Sequence, residues 1–409
     1  KEVMIKYGFQ YLETPSFEYS DSIGKFLPDK DRPDEGVFSF KDENRWLSLR
    51  YDLTAPLARY VAKNYLEIPK PFKRYQLGTV WRNEKPGPGR FREFLQFDAD
   101  FVGTKNLQAD AELCVLISEI LEKCGLSKED YTVKISSRKF TEELFKELKI
   151  QSSEQSLTIL RALDKIDRLG WEEVKKLLSK GRKDSSGDVT KGADLNENQI
   201  KILETKIKEI KPNTSDVLEI IKIFESYNFT NYKYDPSVIR GLEYYTGPIF
   251  EVNLNFAVKN SKDKIIQFGS IGGGGRYDNL INNFGNLDCP ATGISIGIDR
   301  LVYALMQKKE FNIKSNKPVV ICVFNKESLK EYINILKKLR DEKIGSEVYP
   351  GEGNLKKQMQ YANKIGSPAV ILYGEDEIKS GRPILRDLKS GKEISTKIEN
   401  LSNEIKKIL

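Results

Sequence analysis

Between Trp81 and Asp100 the chain reads WRNEKPGPGRFREFLQFDAD, two extended limbs around a Pro-Gly turn. Side chains in a strand alternate faces with a period of 2. On the outgoing limb one face carries Arg90, Arg92, Phe94, Gln96, Asp98 and Asp100, and the other carries Phe91, Glu93, Leu95, Phe97, Ala99 and Phe101. Arg82 and Glu84 share a face on the incoming limb. An antiparallel sheet with one solvated face produces this alternation, and so does a polar pocket floor. The pattern by itself leaves both open.

The same reading predicts the elements around this hairpin. VFSFKDENRWLSLRYDLTAPLARYVAKNYL reads as strand, turn, strand and helix, with Asp42-Glu43-Asn44 as the turn and Thr54 as N-cap before Pro56. Leu113, Leu116, Ile117, Ile120 and Leu121 keep i, i+3, i+4 spacing and predict a helix from about 106 to 124, ending at Gly125. From 138 to 230 the segments FTEELFKELKI, LTILRALDKIDRLGWEEVKKLLSKG and TSDVLEIIKIFESYN are helical, around the polar loop RKDSSGDVTKGADLNENQ. Strand character returns at YKYDPSVIRGLEYYTGPIFEVNLNF and KIIQFGSIGGGGRYDNL, and ATGISIGIDRLVYAL runs from strand into helix. Beyond the linker QKKEFNIKSNKP, the strands VVICVFN, SEVYP and PAVILYG alternate with helices near 327–342 and 354–364. Fully apolar strands in that order predict a small domain with a mainly parallel sheet.

Composition narrows the chemistry. The 409 residues suffice for two or three domains, and 39% hydrophobic with 31% charged residues allows packed cores under a solvated surface. No run of about 18 apolar residues occurs, so a membrane span is not expected, and no secretory signal is visible in a chain that opens inside a helical pattern, which leaves targeting open. Cys114, Cys124, Cys289 and Cys322 form no C-x-x-C pair, which argues against a zinc site or disulfide framework and for a reducing compartment. All four sit in apolar contexts that predict buried packing. Histidine is absent, which excludes a Ser-His-Asp triad, an H-E-x-x-H zinc site and a histidine general base. The net charge of +7 mildly favours a polyanionic partner.

Four segments carry unusual local chemistry. RYDLT (50–54) places a carboxylate and a hydroxyl two residues apart, and a capped helix start explains it equally well. The hairpin is the second. RGLEYYTG sets Arg240 before Tyr244 and Tyr245, which could equally be strand aromatics, one facing in and one out. GGGGRYDNL, followed by GISIGIDRL, offers a glycine run that permits close backbone approach, then Arg300 at a helix start; Asp299-Arg300 could also be an ordinary ion pair. The glycine run matches neither G-x-G-x-x-G nor G-x-x-x-x-G-K, so dinucleotide and P-loop readings are rejected.

Taken in order, these segments resemble class II aminoacyl-tRNA synthetases, specifically the histidyl-tRNA synthetase family. YGFQYLETP, with Pro15, resembles the first motif; WRNE, the Pro-Gly loop and Arg90-x-x-x-Phe94 resemble the second; GISIGIDRL resembles the third. RGLEYYTG and GGGGRYDNL resemble the two segments distinctive of the histidine enzyme. The resemblance implies joining of L-histidine to ATP, supplied with Mg²⁺, as histidyl-adenylate, followed by transfer to tRNA(His), with no protein-ligated zinc. It also implies residue roles. Arg82 would hold the α-phosphate and histidine carboxylate, with Arg240 opposite; Arg90 and Arg300 would reach the γ-phosphate, Phe94 would stack on adenine and Glu84 would accept from its amino group. Asp52, Leu53, Thr54 and Gln96 would cradle histidine's amino group, and Asp100, Tyr245 and the adjacent Tyr244 would face its imidazole. Some family members carry glutamate where Asp100 stands, and the carboxylate role survives that change. On this reading the polar row of the hairpin is a pocket floor.

The expected fold is an α+β catalytic domain with a central antiparallel sheet (1–137 and 231–312), a helical insertion (138–230) and a C-terminal α/β anticodon-binding domain (318–409). A homodimer, a cytoplasmic location and no membrane partner are expected with it. Two alternatives remain at this point: a catalytically silent synthetase-like paralogue that binds histidine, and an RNA-binding scaffold. Retention of Arg82, Arg90, Arg240, Arg300 and the C-terminal domain argues against the paralogue, and the scaffold predicts tRNA affinity without ATP turnover.

Overall fold

Eight strands carry the first part of the molecule: β1 (Gln10–Tyr11), β2 (Phe72–Trp81), β3 (Glu93–Val102), β4 (Tyr131–Ser137), β5 (Tyr232–Tyr234), β6 (Pro248–Leu254), β7 (Gly272–Arg276) and β8 (Ala291–Gly297). They form one sheet in the order β1-β2-β3-β8-β7-β6-β4-β5. The interior pairs are all antiparallel, and each edge is closed by a short parallel strand. The computed structural model describes residues 1–20, 36–183, 189–209, 211–239, 245–308 and 317–409. It divides into two compact units, Lys1–Phe311 and Asn312–Leu409.

Helices α1 (Thr54–Lys63), α2 (Leu107–Lys123), α3 (Ser215–Ser226) and α4 (Ile298–Leu305) cover this sheet unequally. Leu113, Leu116 and Ile117 of α2, Val217, Ile220 and Phe224 of α3 and Leu301 of α4 share a core with Ala99, Phe101, Val133, Phe250 and Ile294 of the strands. On the opposite face α1 packs Leu57, Ala58 and Val61 with Phe72, Val102 and Ala291. That second face is therefore apolar only at one end, and the remainder is left for polar groups.

The hairpin differs from its sequence pattern in extent. β3 begins at Glu93 and β2 ends at Trp81, so period-2 alternation does not reach Arg82, Glu84, Arg90 or Arg92. The Pro-Gly turn breaks it: Arg82 N–H donates to Arg92 O at 2.8 Å and Gly87 N–H to Arg90 O at 2.9 Å, closing an irregular tip. The α1 cap also differs. Asp52 Oδ1 accepts from the Ala55 N–H at 3.0 Å, so Asp52 caps the helix and Thr54 is its first residue. α2 is capped by Asn106 and, as its sequence suggests, ends before Gly125, whose φ is +103°. Cys124 lies just past the apolar stripe of α2 and is exposed, unlike the buried Cys114, Cys289 and Cys322.

Helices Arg138–Glu147, Ser153–Leu163, Trp171–Leu178 and Glu197–Ile207 gather Phe140, Leu144, Ile159, Leu163, Val174 and Leu203 into a core of their own. The polar loop between them contains a short hairpin, Gly181–Lys183 against Val189–Lys191. α3, read along with these helices in the sequence, packs on α2 instead.

The second unit is a five-stranded sheet, β9 (Val319–Ile321), β10 (Ser346–Val348), β11 (Ala369–Leu372), β12 (Ile384–Asp387) and β13 (Glu393–Ser395), in the order β10-β9-β11-β12-β13. β10, β9 and β11 are parallel, but β12 and β13 add antiparallel pairs. The sheet is therefore mixed rather than mainly parallel. The turn at Asp387–Gly391, where Gly391 takes φ +74°, folds β13 back as a hairpin. Tyr332, Ile335, Leu339, Leu401 and Ile405 pack in one core of this unit, and Ala362 in another.

Candidate active site

The register of three adjacent strands assembles the site. Gln96, Asp98 and Asp100 of β3 stand opposite Gly78, Gln76 and Arg74 of β2, and opposite Gly297, Ser295 and Gly293 of β8. All these side chains lie on one face of the pleat, and cross-strand neighbours at this spacing interact directly. Gln96, Asp98, Asp100, Arg74 and Gln76 are buried, whereas Leu95 and Leu77 on the other face are 39% and 46% exposed. The solvated-face explanation of the alternation therefore fails: the polar row is the covered one.

Asp100 is held from two sides. Arg74 Nη1 donates to its Oδ2 at 3.0 Å and the Tyr277 hydroxyl to its Oδ1 at 2.7 Å. Arg74 also donates to Gln76 Oε1, which accepts from the Thr14 hydroxyl at 3.1 Å. Position 293 must be glycine, since a Cβ there would collide with the Asp100 carboxylate. Burial pushes the Asp100 carboxyl above its ordinary range, opposed by the Arg74 charge. Asp52 is likewise raised by burial, opposed by the Ala55 N–H and by Arg82.

Asp98 lies between Gln96 and Thr54. Gln96 Nε2 donates to Asp98 Oδ1 at 2.8 Å and to Ser295 Oγ at 3.1 Å, and the Thr54 hydroxyl donates to Asp98 Oδ2 at 3.4 Å. The structure thus brings Asp52, Thr54, Gln96 and Asp100 onto one floor. Leu53 is wholly buried, with its side chain against Gly78 on the same face. Tyr245 is buried with Val238 and Ile249, its ring against Gly275. Arg240 and Tyr244 lie outside the described residues.

At the hairpin end of the same strands stand three arginines with no ion pair among the described residues. Arg82 Nε donates to Tyr51 O at 3.2 Å, with its guanidinium 4.3 Å from the Tyr51 ring centre and 5.2 Å from that of Phe94. The Tyr51 hydroxyl donates to Glu84 Oε1 at 2.9 Å. Arg300 Nε donates to Ser270 O at 2.8 Å, and the guanidinium sits 4.3 Å from the Phe268 ring centre. A Cβ on Gly269 would lie 3.5 Å from Arg300 Nη2 and 3.8 Å from Arg90 Nη2, so the two cations flank one point. Burial, and then Arg90, lower the Arg300 pKa to about 10.

Other arginines serve the fold. Arg50 donates to Thr79 O at 2.8 Å and Thr14 O at 2.7 Å, tying the 14–15 segment to β2. Arg276 binds Thr104 O at 2.9 Å and the buried Asp110 at the start of α2. Asp299 accepts from the Leu95 N–H at 2.7 Å, so it anchors α4 to β3 and is not paired with Arg300. The glycine run forms β7, and a Cβ on Gly272 or Gly274 would meet the backbone of β8. Its close approach is to the neighbouring strand.

Sequence reasoning assigned no role to Arg74, Asp98, Tyr51, Tyr277 or Ser295. Arg74 and Gln76 share a face of β2 by period 2, which was a usable signal. Tyr277 lies in GGGGRYDNL, which the motifs singled out, but its contact with Asp100 spans 177 residues and no local pattern indicates it. Among the described residues no group of three or more Asp, Glu or Cys could hold a metal ion.

A family model described as Histidyl-tRNA synthetase matches residues 1–301, and one described as Anticodon binding domain matches residues 318–408. The chain is similar to a histidine–tRNA ligase of Rhizobium meliloti, 46% identical over 98% of this chain and 85% of that protein. A histidine–tRNA ligase of Bartonella quintana is 45% identical over 98% of this chain and 86% of its own length. The solved histidyl-tRNA synthetase from Nostoc sp. PCC 7120 superposes with a TM-score of 0.78 at 26% identity, covering 100% of this chain and 93% of that one. With this sheet, these site residues and these matches, the chain belongs to the histidyl-tRNA synthetase family and has the class II synthetase fold.

Proposed function

We propose that this chain is a histidine–tRNA ligase: it joins L-histidine to ATP as histidyl-adenylate, releasing pyrophosphate, and passes the histidyl group to tRNA(His), releasing AMP. In the first step a histidine carboxylate oxygen forms a bond to the α-phosphorus as the bond to the pyrophosphate oxygen breaks. A carboxylate is already ionised at neutral pH, so this step requires no general base, and a chain without histidine can perform it. Positioning and positive charge on the phosphates supply the catalysis.

The observation that carries this reading is the segregation of charge along one sheet face. Buried carboxylates occupy one end, and three arginines with no ion pair among the described residues occupy the other. Guanidinium stays ionised and grips two oxygens at once. Arg82 would hold the α-phosphate and the substrate carboxylate, Arg90 and Arg300 the γ-phosphate, and Phe94 and Glu84 the adenine. Asp52, Thr54 and Gln96 would hold the α-ammonium, with Leu53 behind them, and Asp100 and Tyr245 would face the imidazole. Arg240 and Tyr244 take their roles from the family motif. Mg²⁺ enters with ATP as substrate and neutralises phosphate charge. The unit beyond residue 312 would bind the anticodon, and the exposed Tyr11, Leu77 and Leu95 would lie in a homodimer interface. A cytoplasmic location fits this role, and among the described residues no helix is long and apolar enough to cross a membrane.

The test is pyrophosphate exchange into ATP with each amino acid supplied in turn. Exchange dependent on histidine alone is the expected result. No exchange from folded protein that still binds histidine would leave a silent histidine-binding protein.

A further inference from the structure

Asp98 is a buried carboxylate that no role above uses. Its side chain meets neutral donors: the Gln96 amide at 2.8 Å, the Thr54 hydroxyl at 3.4 Å and the Ser295 hydroxyl. Among the described residues no cation is within ion-pairing distance of it, while its neighbour Asp100 has Arg74 at 3.0 Å. Burying a carboxylate without a cationic partner is costly, and its retention here calls for a compensating task.

The task follows from hydrogen-bond polarity. With a cation beside it Asp98 is ionised, and an ionised carboxylate accepts and cannot donate. The Gln96 side chain must therefore turn its nitrogen toward Asp98. Its second N–H goes to Ser295 Oγ at 3.1 Å, so both amide protons are used inside the protein. The amide oxygen is left facing away, and among the described residues it receives no hydrogen bond. Thr54 spends its one proton on Asp98 and keeps only lone pairs. The Asp52 carboxylate takes the Ala55 and Thr54 N–H groups, and its two oxygens have lone pairs for a further donor. The floor thus presents acceptors on three residues, and an ammonium group is three donors with no acceptor.

We propose that Asp98 is a positioning residue for the α-ammonium group of histidine: it takes the amide and hydroxyl protons of Gln96 and Thr54 and so points their oxygens at the incoming cation. This rests on the ligase reading above and adds to it a residue outside the amino-group cradle. The desolvation that raises the Asp98 carboxyl, reinforced by the Asp100 charge, is relieved when a cation arrives nearby. A neutral residue of the same shape at this position loses the directing effect, because an asparagine can donate as well as accept. Gln96 and Thr54 are then free to turn protons toward the ammonium.

The experiment is calorimetric titration of full-length wild type and Asp98→Asn with histidine and with imidazolepropionate, which is histidine without its amino group. Asp98→Asn is expected to weaken histidine by about 10–100-fold, the scale of a charged-group hydrogen bond, and to leave imidazolepropionate unchanged. In pyrophosphate exchange the histidine KM should rise by the same factor, with kcat and the ATP KM held. Equal weakening of both ligands would mean a merely structural role and overturn the proposal, as would selective loss of imidazolepropionate. Should Asp98→Asn not fold, Asp98→Ser is judged by the same split. Wild type that shows no histidine-dependent exchange would overturn the ligase reading itself. Wild type that exchanges, with the split absent in the variant, overturns only the role of Asp98.

Discussion

Arg74 and Asp100 face each other across β2 and β3 with 3.0 Å between Nη1 and Oδ2, and their side chains are 0% and 2% exposed. A pair so placed is held by its geometry, because each charge alone would be stranded in a low-dielectric interior. It fixes the Asp100 carboxylate beneath Gly293 and so sets the end of the pocket. Replacing Arg74 by Met is expected to cost about 3–5 kcal/mol, the usual loss on breaking a buried pair. The double variant Arg74→Met/Asp100→Asn should be more stable than Arg74→Met alone. Denaturant titrations of the three proteins check both statements, and additive losses would contradict them.

Arg300 and Arg90 repel each other around Gly269, and a polyphosphate relieves that repulsion. Arg300→Ala is expected to lower kcat/KM for ATP in pyrophosphate exchange by about 10²-fold while leaving the histidine KM near its original value. A rise in the histidine KM of similar size would place Arg300 elsewhere in the reaction.

Arg240 takes its place from its motif alone. If it faces the developing charge at the α-phosphate, Arg240→Ala should slow adenylation by about 10²–10³-fold, the loss typical of one transition-state donor. Single-turnover adenylate formation reads this directly, and near-normal turnover would remove Arg240 from the assignment.

Burial, and then the Asp100 charge, raise the Asp98 pKa from 3.8 to about 7. A folded-state value above the unfolded one means that the folded chain keeps a proton the unfolded chain has released. Stability from this group is present in full below about pH 4 and is lost as pH rises through about 7. Asp98→Asn cannot ionise. The Tm of the variant relative to wild type should therefore improve between pH 5 and pH 8, and a difference independent of pH would refute the shift.

The unit Asn312–Leu409 has its own core around Tyr332, Leu339, Ile371 and Leu401. A chain ending near residue 311 is expected to keep histidine-dependent pyrophosphate exchange within a few-fold and to lose tRNA charging by at least about 10-fold. The loss should appear in the tRNA KM and shrink at low salt, where phosphate contacts strengthen. Lost exchange would show that the first unit does not work alone.

Much of this was legible locally. The alternation of β3 placed Gln96, Asp98 and Asp100 on one face, and the spacing of Leu113, Leu116 and Ile117 predicted α2. Motif order indicated the family. The limits of the hairpin strands were not legible, because Pro86 and Pro88 withdraw N–H donors from a ladder that the residue pattern alone would extend. Nor was the α1 cap, where Asp52 and Thr54 both have capping side chains and only backbone geometry chooses between them. β12 and β13 escaped notice because short, half-exposed strands carry little periodic signal.

The sequence by itself determined which residues share a face of each strand, because side-chain direction has a period of 2 and needs no partner. It also determined that the chemistry runs without histidine. Only the tertiary structure decided which way that face points and what stands opposite it. Helices α2, α3 and α4 bury the apolar face of β3, and the strand register sets Asp100 against Arg74 and Gln96 beside Ser295. Register is a relation between strands distant in sequence, fixed by the packing of all of them at once. No single stretch of the chain carries that information.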